Sequence, residues 1–553
     1  CDHAIYRGKA ANGKDMYAYG GDSGETIHDG NFCMDGLVYP DRRPHTGLLE
    51  FKNIHRPARI ANYDGANGIL TLHNYMDFTD IRDYLTMSYE VTCDGQVVTS
   101  GNIDVPSVAP HGDVTVSLSP VTNIQKSLSD LHAASHADIS GSSDVTDYSS
   151  VVECSDVADC TKDIITHRMF LRVIYKAACD SAFVKEGDVL GFDEIELATQ
   201  KQNADKVLDK ASSLDKAQNL VEQYLTTQDT ASAHLHVSES DTEFVVSGSN
   251  FEYIFDRNTG NFTGFAMDGQ ELLAAPCDKT IWRAPTDNDR NIKNEWLRAH
   301  YDMISERTYE TGCIIKDGCA VISCTSSLSA PTVQPVLRIN AEWIITPEGT
   351  IKSKMHVKKN AEFPTLPRFG VRMILREDMR NVNYIGMGPY ESYADKHHAS
   401  WHGSFSASID EMHEDYIMPQ ENGSHFDCSL VQVSAPGASD ESDRNSSDKN
   451  NFVNGSSYQS ICNAQTAETI AATTAHSITV TSAVPFSMNA SPYTAEELTV
   501  ATHNYELPES DKSVLCIDYR QNGIGSNSCG PELDEKYRFD EDEWEFGFTM
   551  HVK

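Results

Sequence analysis

Five carboxylates, Asp22, Glu25, Asp29, Asp35 and Asp41, are concentrated in the stretch from Tyr17 to Gly47. They place many oxygen acceptors in one region, a chemistry suited to sugar hydroxyls or to a hard cation such as sodium or calcium. The plainer alternative is a solvated acidic loop, common in an acidic chain. The same stretch carries short apolar beads, Tyr17–Tyr19, Phe32–Met34 and Leu37–Tyr39, among its Gly, Pro and Asp residues. A surface linker has no need of buried aromatics, and a regular strand has no need of so many glycines. The pattern predicts a strand running into a long, ordered, functional loop.

Other constellations lie further along. In Trp282-Arg283-Ala284-Pro285-Thr286-Asp287-Asn288-Asp289 the proline fixes the backbone, and the Asp and Asn side chains can bond their own main chain. Trp296 follows; it either packs or faces a sugar, whose pyranose faces are partly apolar. The glycine-spaced loop Asn522–Gly530 is not a dinucleotide fingerprint, because the spacing fails and no helix follows. His398 and His402 are four apart, but no Glu completes an H-E-x-x-H pattern, so His397, His398, His402 and His413 read as polar surface. Glu391 and Glu421 are expected to serve structural hydrogen bonding.

The elements that must position these residues follow from local pattern. Residues 1–57 read as a piece of an α/β barrel, too short to close one, so it must dock on something. Residues 58–200 carry short β-rich segments between turn signals, including the hairpin dipeptide Asp94-Gly95, and predict an antiparallel sandwich. Residues 134–163 within it are Ser- and Asp-rich and read as a mobile insertion. In the 201–233 linker, Val207, Leu208, Ala211, Leu214, Ala217, Leu220, Val221, Tyr224 and Leu225 fall at helical spacing and predict a surface helix over 201–225. From 234 to 553, many strands predict one large double sheet, interrupted by a second polar insertion at 434–460.

Composition removes some functions. The chain has 553 residues, with Lys+Arg 44 against Asp+Glu 82 and a net charge of −38, which repels nucleic acid and anionic lipid. No stretch approaches the roughly 18 apolar residues of a membrane span, and no signal-peptide pattern opens the sequence. The 14 cysteines include no C-x-x-C pair. Scattered thiols of this kind imply a reducing, cytoplasmic setting.

The motifs YGGDSGE, NFCMDGLVYPDRRPH, WRAPTDNDR, GMGPYESYADK, PQENG and NGIGSNSCGPEL occur in this order. Together they resemble the C-terminal part of the large bacterial β-galactosidases of glycoside hydrolase family 2. The resemblance implies a mainly β chain: the end of a catalytic (β/α)8 barrel, an immunoglobulin-like sandwich, and a galactose-mutarotase-like β-supersandwich. It implies hydrolysis of terminal β-D-galactosyl residues and a homo-oligomer. It also implies that Phe32 supplies a backbone carbonyl to sodium beside the sugar, and that Asp35, an Asn in the family, supplies a side-chain oxygen. Asp29, Asn291, Trp296 and Cys529 become candidate sugar contacts, with Cys529 standing where some members have Trp. The family's two catalytic glutamates lie in motifs upstream of the Tyr-Gly-Gly-Asp segment, and neither motif precedes it here. The chain therefore reads as the C-terminal portion of a larger enzyme, with the sodium site's third ligand and the magnesium ligands expected upstream. The alternative is a non-catalytic carbohydrate-binding or scaffold β-protein.

Overall fold

Alternating burial builds the sheets. The strand Leu85–Cys93 buries Leu85, Met87, Tyr89, Val91 and Cys93, the period-two signature of a strand with one face in a core. A computed structural model describes residues 4–34, 36–118, 164–203, 235–436, 476–525 and 530–553, with side chains at 164–167 and 198–203 left aside. These residues divide into two units, one drawn from 50–203 and the other from 4–49 with 235–553.

The smaller unit is an antiparallel sandwich. One sheet orders the strands Ala58–Asp64, Ile69–Asn74 and Asp113–Ser117. The other orders Gln96–Ile103, Leu85–Cys93, Ile164–Ala177 and Val189–Asn203. Leu70 and Leu72 from the first sheet share a core with Met87, Val91, Leu171 and Val173 from the second. Asp94 (φ 46°) and Gly95 (φ 79°) form the expected turn between the paired residues Cys93 and Gln96; positive φ at both suits the twist of a two-residue hairpin. The last strand runs to Asn203, so the linker expected from 201, and the helix expected over 201–225, begin instead as strand. The remainder of that helix, and the whole 134–163 insertion, lie outside the described residues.

In the larger unit a 13-stranded antiparallel sheet is joined by a five-stranded sheet that spans His236–Glu271. Leu337–Ile345 turns Leu337, Ile339, Ala341, Trp343 and Ile345 into the core, and Phe251–Asp256 turns in Phe251, Tyr253 and Phe255. Phe262 of the smaller sheet meets Trp343 of the larger edge to face at 5.2 Å, a favoured aromatic geometry. The strand Ser424–Ser434 occupies the start of the expected 434–460 insertion, and residues 437–460 lie outside the described residues. Among the described residues no helix is long and apolar enough to cross a membrane.

Leu171 is fully buried in the sandwich core. Leu171→Ala is expected to cost this unit about 2–5 kcal/mol through lost transfer energy and an unfilled cavity. The measurement is its urea midpoint, with an unchanged m value marking a stability effect alone.

Candidate functional site

The acidic loop is ordered mostly by its own carboxylates. Gly20 donates its N–H to the Gly30 carbonyl at 3.0 Å and closes the loop. Gly21 has φ +101°, and a Cβ there would lie 2.7 Å from the His28 ring, so glycine is required. Asp22 accepts the Tyr19 N–H at 2.9 Å and pairs with His503 Nε2 at 2.8 Å. Tyr19 stacks on His503 with ring centres 4.5 Å apart and donates its hydroxyl to the Thr502 carbonyl. Glu25 accepts the N–H groups of Gly21 (2.7 Å) and Ser23 (3.0 Å), and these backbone bonds hold its carboxyl below the usual range. Asp41 binds Arg43 at 2.6 Å. Asp22, Glu25 and Asp41, expected among the sugar or cation acceptors, are thus engaged in building the loop. Asp29 remains exposed.

Phe32 sits in the single 3-10 turn Gly30–Met34, half-exposed beside the buried Met34. Its neighbour Asn31 donates from Nδ2 to Asp287 Oδ1 at 2.8 Å. The other Asp287 oxygen accepts Gln420 Nε2 at 3.1 Å, and Asp287 returns its own N–H to Gln420 Oε1 at 3.0 Å. Three motifs far apart in sequence therefore meet at one carboxylate. Asn291 caps the end of the turn Asp287–Arg290 and is exposed. Trp296 is fully buried and donates its indole N–H to the Thr365 carbonyl at 2.9 Å. Of its two alternatives the packing one holds, and the sugar-facing expectation is corrected, because an indole sealed in the core presents no face to a ligand. Asp35 and Cys529 lie outside the described residues.

Arg283 holds the next layer. It is fully buried, forks onto Asp289 at 2.7 and 3.2 Å, and donates to the carbonyls of Asn522 (2.5 Å) and Gly523 (3.1 Å). Asp395 accepts the N–H groups of Ile524 (3.0 Å) and Gly525 (2.7 Å). The first turn of the glycine-spaced loop is thereby fixed from two sides.

A second hub joins the N-terminal segment to the rest of its unit. Glu391 accepts the hydroxyls of Thr46 (2.7 Å) and Tyr416 (2.6 Å), the Lys396 ammonium (2.6 Å) and the Gly423 N–H (2.9 Å). Burial by itself would raise its pKa, but the Lys396 charge and these hydrogen bonds prevail and bring it down to about 2. Nearby Glu414 accepts the Tyr39 hydroxyl at 2.9 Å. Burial, reinforced by repulsion from Glu391, pushes its carboxyl up to about 7. Glu421 is also buried, bonded to the Ser424 hydroxyl at 3.0 Å, and burial raises its pKa. Sequence reasoning assigned Glu391 and Glu421 to structural bonding, and their partners agree with that. It missed Tyr39, Thr46, Lys396, Glu414 and Tyr416; of these, Tyr39, Thr46 and Lys396 lie in stretches already singled out, and Glu414 and Tyr416 do not. His402 pairs with Asp427 at 2.6 Å, and among the described residues no group of three or more His, Cys, Asp or Glu is arranged to hold a metal.

Residues 247–550, more than half of the chain, match the family described as Beta galactosidase small chain. The chain belongs to the β-galactosidase small-chain family. Outside that small-chain region, residues 70–198 match β-galactosidase domain 4, and residues 1–60 match the TIM barrel domain of glycosyl hydrolases family 2. A β-galactosidase of Actinobacillus pleuropneumoniae is 34% identical, over 100% of this chain and 44% of its own length. One of Staphylococcus xylosus is 30% identical, over 100% and 45%. One of Pseudoalteromonas haloplanktis is 22% identical, over 98% and 44%. The chain thus spans less than half the length of these curated relatives.

The two hub carboxyls titrate in opposite senses. Glu414, raised in the folded state, contributes stability that is present below about pH 4.5 and lost as pH rises through about 7. Glu391, depressed, contributes stability present above about pH 4.5 and lost as pH falls toward about 2. Glu414→Gln should therefore raise the urea midpoint at about pH 8 and flatten its decline between about pH 5 and 8. A variant with the wild-type pH profile would show that Glu414 is not the group responsible.

Proposed function

We propose that this chain is the C-terminal part of a retaining β-galactosidase acting on terminal non-reducing β-D-galactose residues, lactose-type substrates included. The observation that carries the reading is the Asn31–Asp287–Gln420 junction. It holds the Phe32 turn, with the exposed Asp29 and Asn291 on the elements it joins, in a chain whose relatives named β-galactosidase match from end to end.

In this mechanism two glutamates of the upstream part stand about 5–5.5 Å apart. One protonates the glycosidic oxygen while the other attacks the anomeric carbon, and water then releases the sugar with retained configuration. The residues of this chain bind and orient. Asp29 accepts, and Asn291 donates and accepts, hydrogen bonds with sugar hydroxyls. The Phe32 carbonyl and the Asp35 carboxylate would hold sodium; both are hard oxygen donors, and the Asn31 bond pins the turn that presents the carbonyl. When bound, sodium supplies a fixed positive charge for a sugar hydroxyl. Magnesium would be held by upstream residues. Cys529 offers no aromatic face, so stacking on the sugar at this position is lost or is supplied elsewhere.

The residues 1–553 alone should not turn over an aryl β-galactoside, since neither proton donor nor nucleophile is supplied. The protein that also carries the upstream part should, and proton NMR should show β-galactose as the first product. Turnover by the chain alone, abolished by replacing one of its own carboxylates, would overturn this division of labour.

In the complete enzyme Asp35→Ala should raise KM and blunt its dependence on sodium concentration, whereas Asp35→Asn, keeping an oxygen in place, should retain most of both. A wild-type sodium response in Asp35→Ala would remove Asp35 from the site.

A further inference from the structure

A tight hairpin, residues 37–45, follows the Phe32 turn. The Tyr39 N–H on the Arg43 carbonyl (2.8 Å) and the His45 N–H on the Leu37 carbonyl (3.0 Å) close it. Its buried Tyr39 donates its hydroxyl to Glu414 at 2.9 Å. We propose that Glu414 is a positioning residue for the Phe32 turn: its neutral carboxyl holds the hairpin down, and its ionised form lets the hairpin lift. The role in sugar binding rests on the function proposed above.

The geometry isolates this contact. The Phe32 turn lies between two anchors, Asn31 on Asp287 (2.8 Å) and Tyr39 on Glu414. Beyond the hairpin, Thr46 is fixed on Glu391 at 2.7 Å. The Glu414 backbone is held in place: its N–H donates to Asn422 Oδ1 at 3.0 Å, and its carbonyl accepts the Tyr416 N–H at 2.9 Å. The bonds that close the hairpin are its own, so it can lift as a piece while both flanking anchors stay made.

The charges decide when it lifts. On the hairpin, Arg43 lies over the Tyr39 ring at 4.7 Å but is paired with Asp41 at 2.6 Å, and His45 meets the same ring edge-on at 3.9 Å. Across from it, the Glu391 charge reaches Glu414 and is matched by Lys396 at 2.6 Å. On the stretch of Glu414 itself, Tyr416 donates to Glu391, Asp415 accepts Asn504 Nδ2 at 2.9 Å, and burial lowers the pKa of His413. Burial, and then the Glu414 charge, push the Tyr39 hydroxyl far above the usual range, so the proton exchanged with solvent is that of Glu414. An ionised Glu414 is a second anion that must share one ammonium with Glu391. Lifting the hairpin admits water to it and relieves that cost. Closure is therefore favoured at low pH and weakens as pH rises through about 7.

The test uses the chain of residues 1–553 and needs no activity. Hydrogen exchange, corrected for intrinsic rates, reads the protection of the Tyr39, Arg42 and His45 amides. Moving from about pH 6 to about pH 8 should lower it about tenfold, as a carboxyl at about 7 when closed and about 4.5 when open requires. Glu414→Gln keeps an acceptor oxygen for Tyr39 but cannot ionise, and should abolish the fall. Glu414→Met serves as a second non-ionisable variant, and wild-type protection of Leu337–Ile345 establishes that each is folded. A wild-type chain without the fall, or a fall that survives in a folded variant, overturns the proposal. In the complete enzyme, KM for a galactoside should rise over the same window, and Glu414→Gln should flatten that rise in KM rather than the pH profile of kcat. A KM rise unchanged in the variant overturns the positioning role. Absence of any galactosidase activity would overturn the functional reading and with it the role in sugar binding; hydrogen exchange then decides the hairpin by itself.

Discussion

Glu391 is the group on which the arrangement of the larger unit turns. A carboxylate sealed away from water is costly unless its oxygens are fully used. Here they are, by two hydroxyls, an ammonium and a main-chain N–H. Thr46 comes from the N-terminal segment, Lys396 from the motif that contains Glu391, and Tyr416 and Gly423 from the stretch leading into the strand Ser424–Ser434. Removing Lys396 would leave the buried charge uncompensated, a more serious matter than losing one of the three neutral hydrogen bonds. The hub therefore fixes the N-terminal segment in position as well as in proximity.

The junction at Asp287 works by the same rule at lower stakes. Its oxygens accept two neutral amides, from Asn31 and Gln420, and its environment is only partly buried. Behind it, Arg283 and Asp289 form a fully buried fork, and the remaining guanidinium donors go to main-chain carbonyls. This ordering places ionic pairs deepest, amide bonds nearer the surface, and Asp29, Phe32 and Asn291 outermost. Rigid support beneath exposed polar groups is what binding geometry requires.

Much of the fold was legible in the sequence because strands announce themselves locally. The alternation in Leu337–Ile345 and the Asp94-Gly95 turn need no tertiary information. The acidic loop was legible only as a loop. Five similar carboxylates cannot be sorted by type, since whether Glu25 bonds its own backbone or a ligand depends on φ and ψ at Gly21 and its neighbours. Trp296 failed for a related reason: an aromatic between charged residues has the same pattern whether the element's inner face is deep or shallow. The Thr46–Glu391 bond was invisible, because no periodicity relates residues 345 positions apart. Glu414 was missed because its burial arises from Tyr39 and its surroundings in space, and nothing local marks it.

That separation also sets a timetable. During synthesis Thr46 leaves the ribosome long before its acceptor exists. At ~5–20 residues per second, the intervening 345 residues take on the order of tens of seconds to make. For that interval the bonds that join the segment from Tyr17 to Gly47 to Asp287, Glu391 and His503 cannot form. Its richness in Gly, Asp and Pro then matters in a second way, since a waiting segment whose apolar beads are separated by glycines, prolines and carboxylates resists wrong association. The composition that makes this loop a poor strand also keeps it available until the residues that fix it have been made.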